Sequence, residues 1–194
     1  MLADAVRALD RHGIPHAFIG GVASAVHGRP RYTHDVDLFV RPDDAERVLD
    51  ALGEEGFQTQ ATDSFWLYKG LKDGVLVDVI FRSKGEIYLD DEMLGRSTEQ
   101  EFKGVKLRLV APEDLLLIKA VVHDEKTPRH WYDALGILSR TDLDWEYLTR
   151  RARQAPRRIL SLLLYAQSND IAVPDSAVRS LFEVIYGDTP PRER

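Results

Sequence analysis

An apolar run broken by two acids, Asp35-Val36-Asp37-Leu38-Phe39-Val40, constrains this chain more than any other stretch. A short apolar run of this kind predicts a buried strand. Side chains alternate faces along a strand, so Asp35 and Asp37 point the same way, about 7 Å apart. Burying carboxylates in such a place is expensive unless something pairs with them. A divalent cation is the natural partner, because Mg²⁺ is held by one or two carboxylates together with substrate phosphates.

The preceding residues supply the other half of a phosphate site. Ala17, Phe18 and Ile19 predict a short buried strand, Gly20-Gly21 break it, and Val22 to His27 continue as a helical turn. Glycine lets the backbone approach a ligand closely and adopt positive φ. A helix beginning near Val22 would aim N–H groups and its positive dipole end at an anion. Ser24 adds a hydroxyl. Gly20, Gly21 and Ser24 are therefore expected to cradle phosphates next to the acids.

With Ile19-Gly20-Gly21, thirteen intervening residues and then Asp35-Val36-Asp37-Leu38, the chain resembles the nucleotidyltransferases of the polymerase-β superfamily. The resemblance covers roughly residues 14–81. It implies a third carboxylate on a later strand, and Asp78 within Val75-Leu76-Val77-Asp78-Val79-Ile80-Phe81 fits that place. In that strand Leu76, Asp78 and Ile80 share a face, so Asp78 interrupts an otherwise apolar surface. The implied activity is metal-dependent transfer of a nucleoside monophosphate from an NTP to an acceptor hydroxyl, releasing pyrophosphate. Two Mg²⁺ ions, with Mn²⁺ as an alternative, are expected on Asp35, Asp37 and Asp78. Such ions lie about 3.5–4 Å apart and stabilise both the attacking and the leaving oxygen. For Asp78 two roles stay open, metal ligand and base for the acceptor hydroxyl.

The Arg29-Pro30-Arg31-Tyr32-Thr33 run looks most like the branch containing the abortive-infection toxins of type IV toxin–antitoxin systems. On that resemblance a toxin-like enzyme acting on tRNA or another RNA comes first, with an antitoxin protein as a partner. Modification of a small molecule, as in antibiotic nucleotidyltransferases, comes second. A catalytically silent nucleotide-binding or partner-binding module of the same fold is a third reading, against which the intact acid triad argues.

Several basic residues are candidates for the rest of the site. Lys119 and His123 stand four apart on one helix face. The resemblance directs Lys119 at the triphosphate, while the plain alternative is a solvated cation. Arg29 and Arg31 either balance the acids or contact the acceptor. Arg150, Arg151, Arg153, Arg157 and Arg158 form an acid-free basic run that is either a solvated helix face or a phosphate-binding patch for RNA. Arg129 and Asp133 are expected to form a structural ion pair, and Trp66, Trp131 and Trp145 are expected in the core rather than as stacking platforms.

Length and composition set the frame. A chain of 194 residues suits one domain, or a small domain with an appendage. With 44% hydrophobic and 30% charged residues it reads as an ordinary globular protein. The absence of cysteine excludes disulfides and thiolate metal sites and is compatible with a reducing cytoplasm, the expected location. Met1 to Arg11 reads as an amphipathic helix and not a signal peptide, and no apolar run approaches a membrane span. A net charge of −6 gives no global attraction to nucleic acid, so contact with RNA needs a local patch.

The expected fold is α/β (α+β), a small mixed-sheet nucleotidyltransferase core over residues 1–110 and a C-terminal helical bundle over 111–194. In the core, a first helix buries Leu2, Val6 and Leu9, and a later one opens at Pro42-Asp43-Asp44 and buries Ala45, Val48, Leu49 and Leu52. Strands are expected at Phe57–Thr59, Phe65–Lys69 and Val75–Phe81, the last two joined by Lys72-Asp73-Gly74. Glu86 to Arg96 reads as a short helix or loop, and a final hairpin turns at Lys103-Gly104. Helices follow at Asp114–Asp124, Arg129–Ser139, Trp145–Gln154, Arg157–Ser168 and Ser176–Tyr186, and the tail Thr189–Arg194 is expected to fray.

Overall fold

A computed structural model describes residues 1–33 and 35–187 of the chain. The tail from Thr189, expected to fray, lies outside the described residues. By internal contacts the chain divides into two compact units. One holds residues 1–26 and 30–111, and the other holds 27–29 and 112–194.

The first unit is built on one mixed sheet, which among the described residues has seven strands in the order β3-β4-β5-β2-β1-β7-β6. These are β1 His16–Phe18, β2 Asp35–Val40, β3 Gln58–Asp63, β4 Leu67–Lys72, β5 Val75–Ile80, β6 Thr98–Phe102 and β7 Val105–Leu109. Its helices are α1 Leu2–Arg11, α2 Gly20–His27, α3 Ala45–Glu54 and α4 Asp91–Arg96. The central strands β2 and β5 run parallel, β1 is antiparallel to β2, and β1 touches β7 in parallel at Phe18 and Leu109. The outer pairs β3–β4, β4–β5 and β6–β7 are antiparallel hairpins.

Turn chemistry fixes two of those hairpins. Asp73 and Gly74 both take positive φ, 52° and 73°, as a two-residue hairpin turn of the I′ kind demands. Lys103 and Gly104 do the same at 50° and 77°. Sheet edges are protected: β3 is polar, exposed along most of its length and bulged between Gln60 and Asp63, which discourages pairing with another chain.

The two faces of the sheet differ. On β2 and β5, Val36, Leu38, Val77 and Val79 are buried, while Asp35, Asp37, Leu76, Asp78 and Ile80 are half-buried. Gly70 on β4 pairs with Val77, and a side chain at Gly70 would press on Leu52 of α3 at 3.2 Å. The Val77 face therefore carries α3, and the acids occupy the opposite face. Helix α1 buries Ala5, Ala8 and Leu9, where spacing pointed to Leu2, Val6 and Leu9. Helix α3 buries Ala51 in place of Leu49, after a 3₁₀ turn at Pro42–Asp44. In both cases the smaller alanine faces the neighbouring element, where close approach favours a short side chain. The strand expected from Phe65 begins at Leu67, because Asp63 accepts from the Phe65 amide and the Trp66 indole and closes a turn there. Trp66 consequently stands 43% exposed, not in the core.

The second unit is helical, with α5 Pro112–Val122, α6 Arg129–Leu138, α7 Trp145–Arg151, α8 Pro156–Gln167 and α9 Asp175–Tyr186. Its interior mixes leucines with paired charges. Asp114 is fully buried and accepts from the Tyr147 hydroxyl at 2.8 Å and from Arg151 Nε at 3.0 Å. Glu113 accepts from the Asp144 amide at the start of α7, and Asp144 caps that helix through the Tyr147 amide. Residues 27–29 join this unit: Thr141 donates to the His27 carbonyl, and Arg29 lies over the Tyr132 ring at 5.3 Å. Among the described residues no helix is long and apolar enough to cross a membrane.

Candidate active site

Strand register brings the acids together. Asp37 on β2 is the direct partner of Asp78 on β5, and Asp35 follows two residues back on the same face. Adjacent strands are about 4.8 Å apart, so Asp37 and Asp78 stand side by side as like charges, which is destabilising unless answered. One answer comes from β4. Lys69 is the direct partner of Asp78, and its ammonium donates to Asp78 Oδ1 at 2.8 Å. The row Lys69, Asp78, Asp37 thus crosses three neighbouring strands on one face.

The glycine turn supplies a second answer. Gly20 has φ +61°, a left-handed conformation that glycine adopts without penalty. A Cβ there would overlap the Asp37 carboxylate and lie 2.8 Å from Asp37 Cβ. Position 20 must therefore be bare for Asp37 to sit where it does. Helix α2 starts at Gly20, two residues ahead of the expected start, and the Gly21 amide donates to Asp37 Oδ2 at 3.3 Å. The positive end of α2 thereby faces a carboxylate of the protein itself. A Cβ at Gly21 would collide with Thr33 and approach a guanidinium nitrogen of Arg31 at 3.1 Å. Thr33 in turn donates to Asp35 Oδ1 at 2.6 Å, so the segment before β2 braces the first acid.

Other sequence candidates take different positions. Ser24 is buried and gives its hydroxyl hydrogen to the Gly20 carbonyl at 2.6 Å, closing the first turn of α2. Lys119 is 3% exposed in the second unit and pairs with Asp133 at 2.8 Å, so Asp133, expected opposite Arg129, serves a lysine on α5. The basic run is not a single surface. Arg151 is a buried partner of Asp114, whereas Arg150, Arg153, Arg157 and Arg158 are exposed, with Arg150 over the Tyr147 ring at 5.1 Å. Lys69 is the site residue that reading the sequence missed. Its signal was present: a two-residue turn at Asp73-Gly74 pairs Lys72 with Val75 and hence Lys69 with Asp78.

The donor set is one of hard carboxylate oxygens, which suits Mg²⁺ or Mn²⁺ and not a soft metal. The bare α-carbon of Gly20 is what lets the Asp37 carboxylate lie against the glycine turn. Among the described residues no three His, Cys, Asp or Glu side chains gather closely enough to enclose an ion.

Comparison with known proteins gives a consistent assignment. Residues 2–168 match the family described as uncharacterised nucleotidyltransferase. No curated protein matches the chain. Among solved structures, the solution structure of the antibiotic-resistance factor ANT(2″)-Ia is similar at TM-score 0.55 and 16% identity, covering 87% of this chain and 95% of that one. The crystal structure of ANT(2″)-Ia with adenylyl-2″-tobramycin is similar at TM-score 0.55 and 18% identity, covering 80% and 95%. The lincosamide adenylyltransferase LnuA, bound to lincomycin, follows at TM-score 0.49 and 14% identity, covering 69% and 92%. At these identities the likeness is one of fold.

Proposed function

The chain belongs to the family of uncharacterised nucleotidyltransferases, and from that premise we propose that it moves a nucleoside monophosphate from an NTP to a hydroxyl of a small acceptor. The observation that carries this reading is the β2–β5 register, which sets Asp37 beside Asp78 with the bare α-carbon of Gly20 against the Asp37 carboxylate.

Asp35 and Asp37 are the residues that would hold the divalent cation. When bound, such a cation neutralises the triphosphate and stabilises charge on the oxygens around the transferred phosphorus. Gly20 and Gly21 carry no side chains, which lets Asp37 and Thr33 close on the start of α2, and the triphosphate would be received beside them at the positive end of that helix. Asp78 receives or orients the proton of the acceptor hydroxyl. Thr33 holds Asp35, and Ser24 holds the glycine turn. Lys119 enters this reading as the internal partner of Asp133.

A small acceptor is favoured over RNA by the fate of the basic run. With Arg151 spent on Asp114, residues 150–158 do not offer one continuous phosphate-binding face. The fold also carries antibiotic chemistry in ANT(2″)-Ia, solved with adenylyl-2″-tobramycin. The toxin-like RNA reading keeps the exposed Arg150, Arg153, Arg157 and Arg158. It requires RNA affinity that falls with salt, with a slope that drops by about 0.7–0.9 for each arginine contact removed.

The test is incubation with each α-labelled NTP and Mg²⁺ against a panel of hydroxyl-rich small molecules, aminoglycosides and lincosamides among them, and against total RNA. Label should pass to a small molecule with release of pyrophosphate. Labelled RNA with unlabelled small molecules would reverse the choice of acceptor. Metal-dependent NTP binding with no pyrophosphate from any acceptor would point to the silent binding module.

A further inference from the structure

We propose that Lys69 stands in for a second divalent cation, so that the site takes one ion, on Asp35 and Asp37, and not two. The inference rests on the metal-dependent reading above and concerns how many ions the acids accept. Two-ion sites work because carboxylates and phosphate oxygens bridge cations about 3.5–4 Å apart. Here the acid that would complete a second shell is already engaged. Asp78 Oδ1 accepts from the Lys69 ammonium at 2.8 Å, and the two residues are direct cross-strand partners.

That pairing is built into the sheet and is not a chance surface contact. The Asp73-Gly74 turn fixes the register of β4 on β5, and Lys69 and Asp78 are both largely covered, with side chains 29% and 16% exposed. The three acids carry a formal charge of −3, and the Lys69 ammonium on Asp78 offsets part of it. The Arg31 guanidinium beside Gly21 adds a further positive charge. A second divalent ion at Asp78 would have to displace Lys69 from Oδ1 or bind through the other carboxylate oxygen against the repulsion of the neighbouring ammonium. Lys69 is therefore a positioning residue: it holds Asp78 in place and keeps it from being a metal ligand.

Manganese provides a readout independent of turnover. The full-length protein would be loaded with Mn²⁺ and a non-hydrolysable NTP analogue, and bound ions counted by electron paramagnetic resonance. Two ions at bridging distance give a spin-coupled spectrum, and one ion gives an uncoupled six-line spectrum. The wild type should bind one ion per chain with no coupling. Lys69→Met and Lys69→Gln should each admit a second, coupled ion, while Lys69→Arg should keep the count at one. A coupled pair in the wild type would overturn the inference without recourse to any variant, and so would folded Lys69→Met and Lys69→Gln proteins that still hold a single ion. Asp37→Asn separates the two layers of the argument. It should abolish the single ion, and Mn²⁺ binding unchanged in that variant would instead refute the acid pair as the metal site.

Discussion

Replacing Arg151 by glutamine should unfold the helical unit at a markedly lower temperature, although the sequence places this residue in a run of apparently solvated arginines. Arg151 is 8% exposed, and its Nε donates at 3.0 Å to Asp114, which is fully buried. Glutamine removes the charge that answers this buried carboxylate, whose other oxygen accepts from the Tyr147 hydroxyl at 2.8 Å. Removing one partner of a buried ion pair costs about 3–5 kcal/mol, because the other charge stays buried without compensation. For a chain of this size about 1 kcal/mol shifts Tm by about 2–4 °C, which makes the expected drop about 6–20 °C. Differential scanning calorimetry with circular dichroism at 222 nm measures it. Arg153→Gln, four-square in solvent by comparison, should change stability by no more than about 0.5 kcal/mol. Arg151→Met combined with Asp114→Leu should recover most of the loss, since apolar residues of similar volume replace buried pairs at little cost. An Arg151→Gln protein melting within 2 °C of wild type, a margin well below the roughly 6 °C minimum expected from the ion pair, would refute the reasoning.

Three further perturbations address the site and its surroundings. Asp37→Asn should leave the fold intact and lower turnover at least about a hundredfold, roughly 3 kcal/mol of barrier, in a pyrophosphate-release assay. Gly20→Ala should both destabilise the protein and depress turnover, because alanine is strained at φ +61° by about 1–2 kcal/mol and its methyl would displace the Asp37 carboxylate; an alanine variant with native kinetics would dismiss the close approach. His130 is held neutral, its pKa pushed down to about 4 by burial and then by the Lys119 and Arg129 charges. Its stabilising contribution is complete above the unfolded value of about 6.5 and is lost as pH falls from there to about 4, amounting to about 1.5 kcal/mol after allowance for partial exposure. Urea midpoints at pH 7 and pH 4.5 should therefore diverge less in His130→Gln than in wild type.

Much of the first unit was legible in the chain because its signals are local. Alternation placed Asp35 with Asp37, positive-φ glycines marked the turns, and Asp73-Gly74 set a hairpin whose register follows by counting. That same count reaches Lys69, so the residue was readable and went unread. What could not be read depends on contacts between distant segments. Nothing near Arg151 announces a carboxylate 37 positions away, and Lys119 finds Asp133 across 14. Leu2 and Val6 lost the buried stripe of α1 to Ala5 and Ala8 because the neighbouring element, and not hydropathy, decides which side of a helix is close-packed. The pairing of β1 with β7 joins residues 18 and 109 and leaves no mark on either segment alone.

The two-residue turn at Asp73-Gly74 acts as a length gauge for the chemistry. Lys69 lies four residues before the turn, roughly 14 Å of strand, yet its alignment with Asp78 is decided there. Side chains repeat every second residue, so one inserted residue in β4 would turn Lys69 to the α3 side and carry Tyr68 or Gly70 into its place. The charge opposite Asp78 can thus be switched by loop length alone, with every residue that touches the acids left unchanged.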